Sequence, residues 1–290
     1  MLSGEMEFSP PLHEQLHFAE ELAKAARAET LARFRRPLAI ENKAAAGRFD
    51  PVTAADRAAE AAMRALITAR FPDHGIIGEE AAAVPARSPF SWVLDPIDGT
   101  RAYVCGLPSW GTLIALTENG RPILGLIDLP AVGQLYRGWP GGADVQEAGL
   151  RRALRLGHDV RLDQAALATT DPGLFTAREG AAFAEVQKRA RFCRYGLDCS
   201  GYAALAAGGL DLVIESGLQI YDIAAIIPVI QGAGGQISAW NSSQDFHFDA
   251  HCGQIVAAAN AQLLAEALAL LAPAALPAPT HIAASGADGA

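Results

Sequence analysis

Trp92-Val93-Leu94-Asp95-Pro96-Ile97-Asp98-Gly99-Thr100 runs from an apolar segment straight into two carboxylates, a glycine and a hydroxyl. A short apolar run bounded by turn residues reads as a buried strand whose carboxyl end delivers charge into a cleft. Asp95 and Asp98 stand close in sequence, and neighbouring carboxylates repel one another unless a cation or a proton holds them. Hard oxygen ligands of this kind suit Mg²⁺ ahead of Ca²⁺ or Mn²⁺. A helix beginning at Gly99-Thr100 would offer its leading N–H groups to a phosphate. Taken alone, Asp95 to Thr100 also fits an Asp-Pro turn with a bend at Asp98-Gly99.

Other acids bear on that choice. Gly75-Ile76-Ile77-Gly78-Glu79-Glu80 is a second apolar run ending in charge. Asp56 follows Thr53 at capping-box spacing and opens a helix that reaches about Arg70, just before Pro72. Asp222, in Tyr221-Asp222-Ile223-Ala224-Ala225, opens an apolar helix to Ile230. Each of these acids also reads as a helix cap or an exposed side chain; Asp222 is the sharper case because apolar residues follow it.

The rest of the chain alternates helices and strands. Leu12 to Phe34 has apolar residues near helical spacing. Leu113 to Thr117 and Pro122 to Leu129 flank Asn119-Gly120, a hairpin signal. Trp139-Pro140-Gly141-Gly142 marks a turn near a domain boundary. Beyond it come a strand at Ala165 to Thr169, helices at Ala177 to Ala190 and Gly201 to Ala207, and strands at Leu210 to Ile214 and Gln236 to Trp240. This divides the chain into sub-domains over 1–142 and 143–272, with an Ala/Pro/Gly-rich, disordered tail over 273–290.

With 290 residues, 51% of them hydrophobic, the chain can bury a sizeable core. Its net charge of −9 argues against nucleic acid as a partner, since phosphate backbones need a basic surface. No run is apolar and long enough to cross a membrane, and the first ten residues do not resemble a signal peptide. Cys105, Cys193, Cys199 and Cys252 have no zinc-ligand spacing and read as small core residues. His13 and His17, like His247 and His251, read as exposed positions. These features point to a reduced, soluble, cytoplasmic protein.

Four motifs in order, Asp50-Pro51-Val52-Thr53-Ala54-Ala55-Asp56, Gly78-Glu79-Glu80, Trp92 to Thr100, and Tyr221 to Ala225 followed by Ala233-Gly234-Gly235, resemble the inositol monophosphatase-like superfamily over nearly the whole chain. The resemblance implies a layered α/β fold, an α/β/α/β/α sandwich of two sub-domains with the cleft between them. It implies a Mg²⁺-dependent phosphatase with two or three ions per site, acting on a small phosphate ester, and a homodimer. Glu79, Asp95 and the Ile97 carbonyl would hold one ion, and Asp95, Asp98 and Asp222 a second. A third would lie near Glu79, with Asp56 reaching it through water. Thr100, with Asp56 or Glu79, would orient the attacking water, and the N–H groups of Gly99 and Thr100 would hold the phosphate. Lys43 matches a basic position near the metals, or is simply exposed; Asp50 and Glu80 would give support.

Within this superfamily the chain is most similar to the histidinol-phosphate phosphatases. Asp98 to Tyr103, Gly106 to Leu113 and Arg194-Tyr195-Gly196-Leu197-Asp198-Cys199 carry that similarity, with Leu197 where a glycine is common. Histidinol phosphate carries an ammonium and an imidazole, which Asp198 and Glu215 could recognise. Asp198 equally reads as a helix N-cap, and Arg194 either reaches the phosphate or faces solvent. Inositol 1-phosphate and 3′-phosphoadenosine 5′-phosphate are the alternative substrates, although Arg101-Ala102 stands where the nucleotide-cleaving type more often has Lys-Glu. An inactive metal- or phosphate-binding regulator is the non-enzymatic alternative. An aspartyl-nucleophile phosphatase is rejected, because its two aspartates are separated by one residue rather than by two.

Overall fold

The computed structural model describes residues 10–37, 40–42, 51–157, 159–247 and 253–277. Lys43, Asp50, His251, Cys252 and the tail from 278 onward lie outside them.

Helix α1 (Pro10–Arg33) is followed by a two-stranded ribbon, β1 (Ile40–Asn42) with β2 (Pro51–Thr53), and by α2 (Ala54–Arg70). Thr53 caps α2 and Asp56 closes the reciprocal bond of a capping box, as its spacing predicts. Ala55, Ala59, Met63 and Ile67 recur at helical spacing and face inward.

Seven strands follow: β3 (Gly75–Gly78), β4 (Phe90–Asp98), β5 (Gly111–Glu118), β6 (Arg121–Leu129), β7 (Gln134–Trp139), β8 (Gly142–Glu147) and β9 (Leu150–Ala153), with α3 (Thr100–Val104) between β4 and β5. They form one sheet in chain order, parallel only at β3–β4. The Trp139–Gly142 turn therefore joins two paired strands of one sheet. A boundary at 142 cuts that sheet, which continues to Ala153; Pro and Gly mark a tight hairpin here as readily as a linker.

The second sheet has the order β11-β10-β12-β14-β13, from β10 (Ala166–Ala168), β11 (Phe192–Arg194), β12 (Leu212–Glu215), β13 (Gln236–Ala239) and β14 (Ile255–Ala258). Helices α4 (Ala177–Arg189), α5 (Cys199–Ala206), α6 (Ile220–Ile223), α7 (Ile226–Gly232) and α8 (Ala261–Leu271) complete the fold. The single apolar helix expected over 222–230 is thus two short ones.

Strand alternation sorts the side chains into layers. Trp92, Leu94, Ile114 and Leu116 pack with α1 and α2. Val93, Leu113 and Ala115 face the other way, onto α5, α6 and α7, which also cover Ala166, Val213 and Ala257 of the second sheet. Leu167, Leu212 and Val256 face outward, under α4 and α8. The result is the α/β/α/β/α sandwich. Helix α7 lies directly on the first sheet because Gly125 and Gly138 have no side chain; a Cβ at Gly138 would fall on the backbone of Pro228 and Val229.

The disordered tail expected from 273 does not start there. Ala272–Ala274 forms a turn of 3₁₀ helix, Ala274 is buried, and the Leu276 N–H donates to Gln254 Oε1 at 2.7 Å. Apolar contact and this hydrogen bond outweigh the composition of the segment.

Candidate active site

Strand β4 continues past Asp95 to Asp98, with a bulge between them. Asp95 pairs with Leu113 and Asp98 with Gly111, so β4 carries one extra residue where Pro96 lacks an N–H. Residues three apart in a regular strand face opposite sides; the extra residue returns Asp98 to the side of Asp95. The Ile97 N–H donates to Asp95 Oδ1 at 3.0 Å, which fixes the first carboxylate within the bulge.

Asp222 reaches the same place from the other half of the chain. It is the third residue of α6, and its Oδ2 accepts the Gln219 N–H at 2.6 Å, at capping-box spacing. One carboxylate oxygen from each of Asp95, Asp98 and Asp222 lies within 4.8 Å of the others. Burial raises all three pKa values, Asp98 and Asp222 to about 7, and the mutual repulsion of the acids, including Glu79 beside Asp95, adds to the rise. A divalent cation bound by oxygen ligands would relieve both effects, so this donor set fits one.

Asp56 is 1% exposed. Its Oδ2 accepts from the Thr53 N–H and hydroxyl at 2.9 and 2.6 Å, and its Oδ1 stands 3.5 Å from Thr100 Oγ1. Burial raises its pKa, against the pull of the Thr53 bonds. The Thr100 hydroxyl also donates to the Ile97 carbonyl at 3.0 Å. Gly99 sits ahead of α3 in the left-handed region, at φ 85°, so the turn from strand to helix is made by the residue type that tolerates it. The leading N–H groups of α3 have no partner within the helix.

A cleft of about 300 Å³ opens beside these groups, lined by Gly99, Thr100, Arg101, Asp198, Glu215 and Asp222 among others. Asp198 precedes α5 in cap position, but its side chain makes no capping hydrogen bond; the Cys199 N–H donates to Asp98 Oδ2 instead. Asp198 holds φ 47°, and burial, with Asp98 close by, raises its pKa to about 8. Glu215 ends β12 and is buried, with a pKa raised to about 8 chiefly by that burial. Its two oxygens accept from Thr169 Oγ1, the Thr170 N–H and Thr170 Oγ1.

Arg194 is not among the residues lining the cleft; its side chain is exposed on edge strand β11. Arg101 lines the cleft instead, 3.7 Å from Asp171. It follows Thr100 directly in the central motif, where the sequence reading used it to compare families and did not count it as a site residue. Thr170, Leu174 and the Ser216-Gly217-Leu218 segment were also missed, since no local pattern marks them. Glu179 accepts from Ser216 Oγ and from Gln254 Nε2, and so ties that segment to the outer layer.

Buried acids that repel one another beside a cleft suit a reaction that uses a divalent cation, and with this fold they mark a phosphoric monoester hydrolase. The chain matches the model of the inositol monophosphatase family over residues 12–274 and belongs to that family. It is 43% identical over 204 residues to a bifunctional phosphatase, IMPL2, of Arabidopsis thaliana, covering 68% of this chain and 56% of that protein. A histidinol-phosphatase of Chlorobaculum parvum is 35% identical over 229 residues, covering 76% of this chain and 83% of that one. Among solved structures, an inositol monophosphatase from Zymomonas mobilis aligns with a TM-score of 0.79 at 36% identity, covering 91% of this chain and 100% of that one. Identity alone therefore does not select between the two substrates. No helix among the described residues is long and apolar enough to cross a membrane.

Proposed function

We propose that the protein is a Mg²⁺-dependent phosphomonoesterase acting on histidinol phosphate. Asp95, Asp98, Asp222, Glu79 and the Ile97 carbonyl hold the metal. Bound there, Mg²⁺ supplies Lewis-acid stabilisation of the phosphoryl group and of the leaving oxygen, and makes water more acidic. The N–H groups of Gly99 and Thr100 receive the phosphate oxygens, a placement that gains strength as charge develops. Thr100 Oγ1 and Asp56 Oδ1 orient the attacking water, and the raised pKa of Asp56 makes that oxygen the better proton acceptor.

The observation that carries the substrate reading is Asp198. An acid with no capping role lines the cleft beside Gly99, where an ammonium or imidazolium would neutralise it. The histidinol-phosphatase relative supports the same reading. Inositol 1-phosphate is the second reading, favoured by the Zymomonas mobilis structure; Glu215 lines the cleft with both oxygens already accepting from Thr169 and Thr170, and it selects neither substrate.

Phosphate release with Mg²⁺ tests this, comparing histidinol phosphate, inositol 1-phosphate and 3′-phosphoadenosine 5′-phosphate in wild type and Asp198→Ala. A preference for histidinol phosphate, reduced about tenfold or more in the variant for that substrate only, supports the proposal. A preference for either other ester overturns the substrate assignment, and no turnover of any of them overturns the catalytic one.

A further inference from the structure

Behind the loop that carries Glu79, an ion pair on α2 holds main-chain groups of that loop. Glu60 is buried, and its Oε2 accepts the Glu80 N–H at 2.8 Å while Oε1 accepts the Ala81 N–H at 3.0 Å. Arg64, one turn along, donates from Nε to Glu60 Oε1 at 2.7 Å. Its terminal nitrogens donate to the carbonyls of Ala82 and Ala81 at 3.1 and 2.9 Å. Gly78 permits this close approach, since a Cβ there would run into the Glu60 carboxylate. From the opposite side, the Glu79 N–H donates to the Leu94 carbonyl at 3.3 Å, next to Asp95. The segment 79–82 is gripped by the sheet on one side and by the ion pair on the other.

We propose that Glu60 and Arg64 are positioning residues that set the aim of Glu79 toward the cation. This rests on the reading of Glu79 as a metal ligand. Glu79 and Asp95 repel one another when both are ionised, so the loop that carries Glu79 needs support of its own. Two N–H groups bonded to one buried carboxylate, with two carbonyls bonded to its arginine partner, fix the main-chain torsions and keep the ligand in place. Partners behind a metal ligand typically change metal affinity by about 10- to 100-fold when lost.

The test is Mg²⁺ titration by calorimetry of wild type, Glu60→Gln, Arg64→Gln and Glu79→Gln, with thermal melts in chelator and phosphate release at rising Mg²⁺. The expected result is Mg²⁺ affinity weakened about 10-fold in Glu60→Gln and by a smaller, measurable factor in Arg64→Gln, with turnover recovering at high Mg²⁺ in both. Arg64→Gln leaves both N–H bonds to Glu60 intact and carries the test should Glu60→Gln fail to fold. Wild-type affinity in these two variants, with lower melting and with affinity lost only in Glu79→Gln, overturns the proposal and leaves the pair a purely structural role. Unchanged affinity in Glu79→Gln overturns the ligand reading itself, and the proposal with it.

Discussion

The main-chain N–H of Cys199 donates a 2.5 Å hydrogen bond to Asp98 Oδ2, joining the start of α5 to the end of β4 across 101 residues of sequence. The same carboxylate is one of the three acids that converge on the cleft. Asp98→Asn should weaken Mg²⁺ binding at least 10-fold yet raise the melting temperature of the metal-free protein, because it removes a repelling charge and keeps an acceptor for Cys199. Asp98→Ala should weaken binding equally without that gain, since an orphaned buried donor costs about 1–3 kcal/mol. Melting both variants in chelator, alongside calorimetric titration, checks the pair.

Stability should fall with rising pH when metal is absent. Asp98 and Asp222 are raised to about 7, and Asp198 and Glu215 to about 8. The folded chain therefore keeps protons that the unfolded chain loses above about 4. With more protons bound in the folded state, stability present at pH 4 is lost progressively as pH climbs toward 8. Melts in chelator should be higher at pH 5 than at pH 8, and Mg²⁺ should narrow the gap. A flat profile in chelator would contradict the buried-acid picture.

Thr100→Val removes the hydroxyl that stands between Asp56 and the Ile97 carbonyl. Turnover should drop about 10²-fold or more while Mg²⁺ affinity changes little, and Thr100→Ser should recover most of the rate. A loss of metal affinity equal to the loss of rate would instead place Thr100 in cation binding.

Gly138→Ala tests the layer contact. Its Cβ would overlap the backbone of α7, which cannot yield as a flexible side chain does. Overpacking of this kind costs about 1–3 kcal/mol, occasionally more. Denaturant unfolding at fixed pH reads the change. Gly133→Ala, where a Cβ would meet nothing within 4 Å, separates crowding from the strain of a positive φ.

Where signals are local, the sequence is readable. The apolar run into Asp95, the capping box at Asp56 and the hairpin at Asn119-Gly120 each lie within a few residues, and the structure bears them out. The break between α6 and α7 at Ala224-Ala225 also has a local cause, which the single-helix expectation left unused: Pro228 has no N–H for the Ala224 carbonyl and its ring crowds that carbonyl. Features that depend on packing were not readable. Glu60 reads as helix surface until β3 and the 79–82 loop close over it. Arg194 was weighed as a phosphate contact and Arg101 was not, although both side chains are exposed and only Arg101 lines the cleft, a difference set by where β11 and α3 lie.

The cleft is assembled unequally. Asp95 and Asp98 come from a bulged strand in the interior of a seven-stranded sheet, whereas Thr170, Leu174, Asp198 and residues 215–218 come from strand ends and loops of the second half. The strand pairing that places Asp95 and Asp98 does not depend on those loops, whereas the N–H groups of Cys199 and Gln219 at the loop ends hold Asp98 and Asp222. Variation at 174 and 216–217 therefore alters the cleft wall while leaving the donors of Asp98, Asp222 and Glu215 in place, and a library confined to those positions varies the lining without touching the acids.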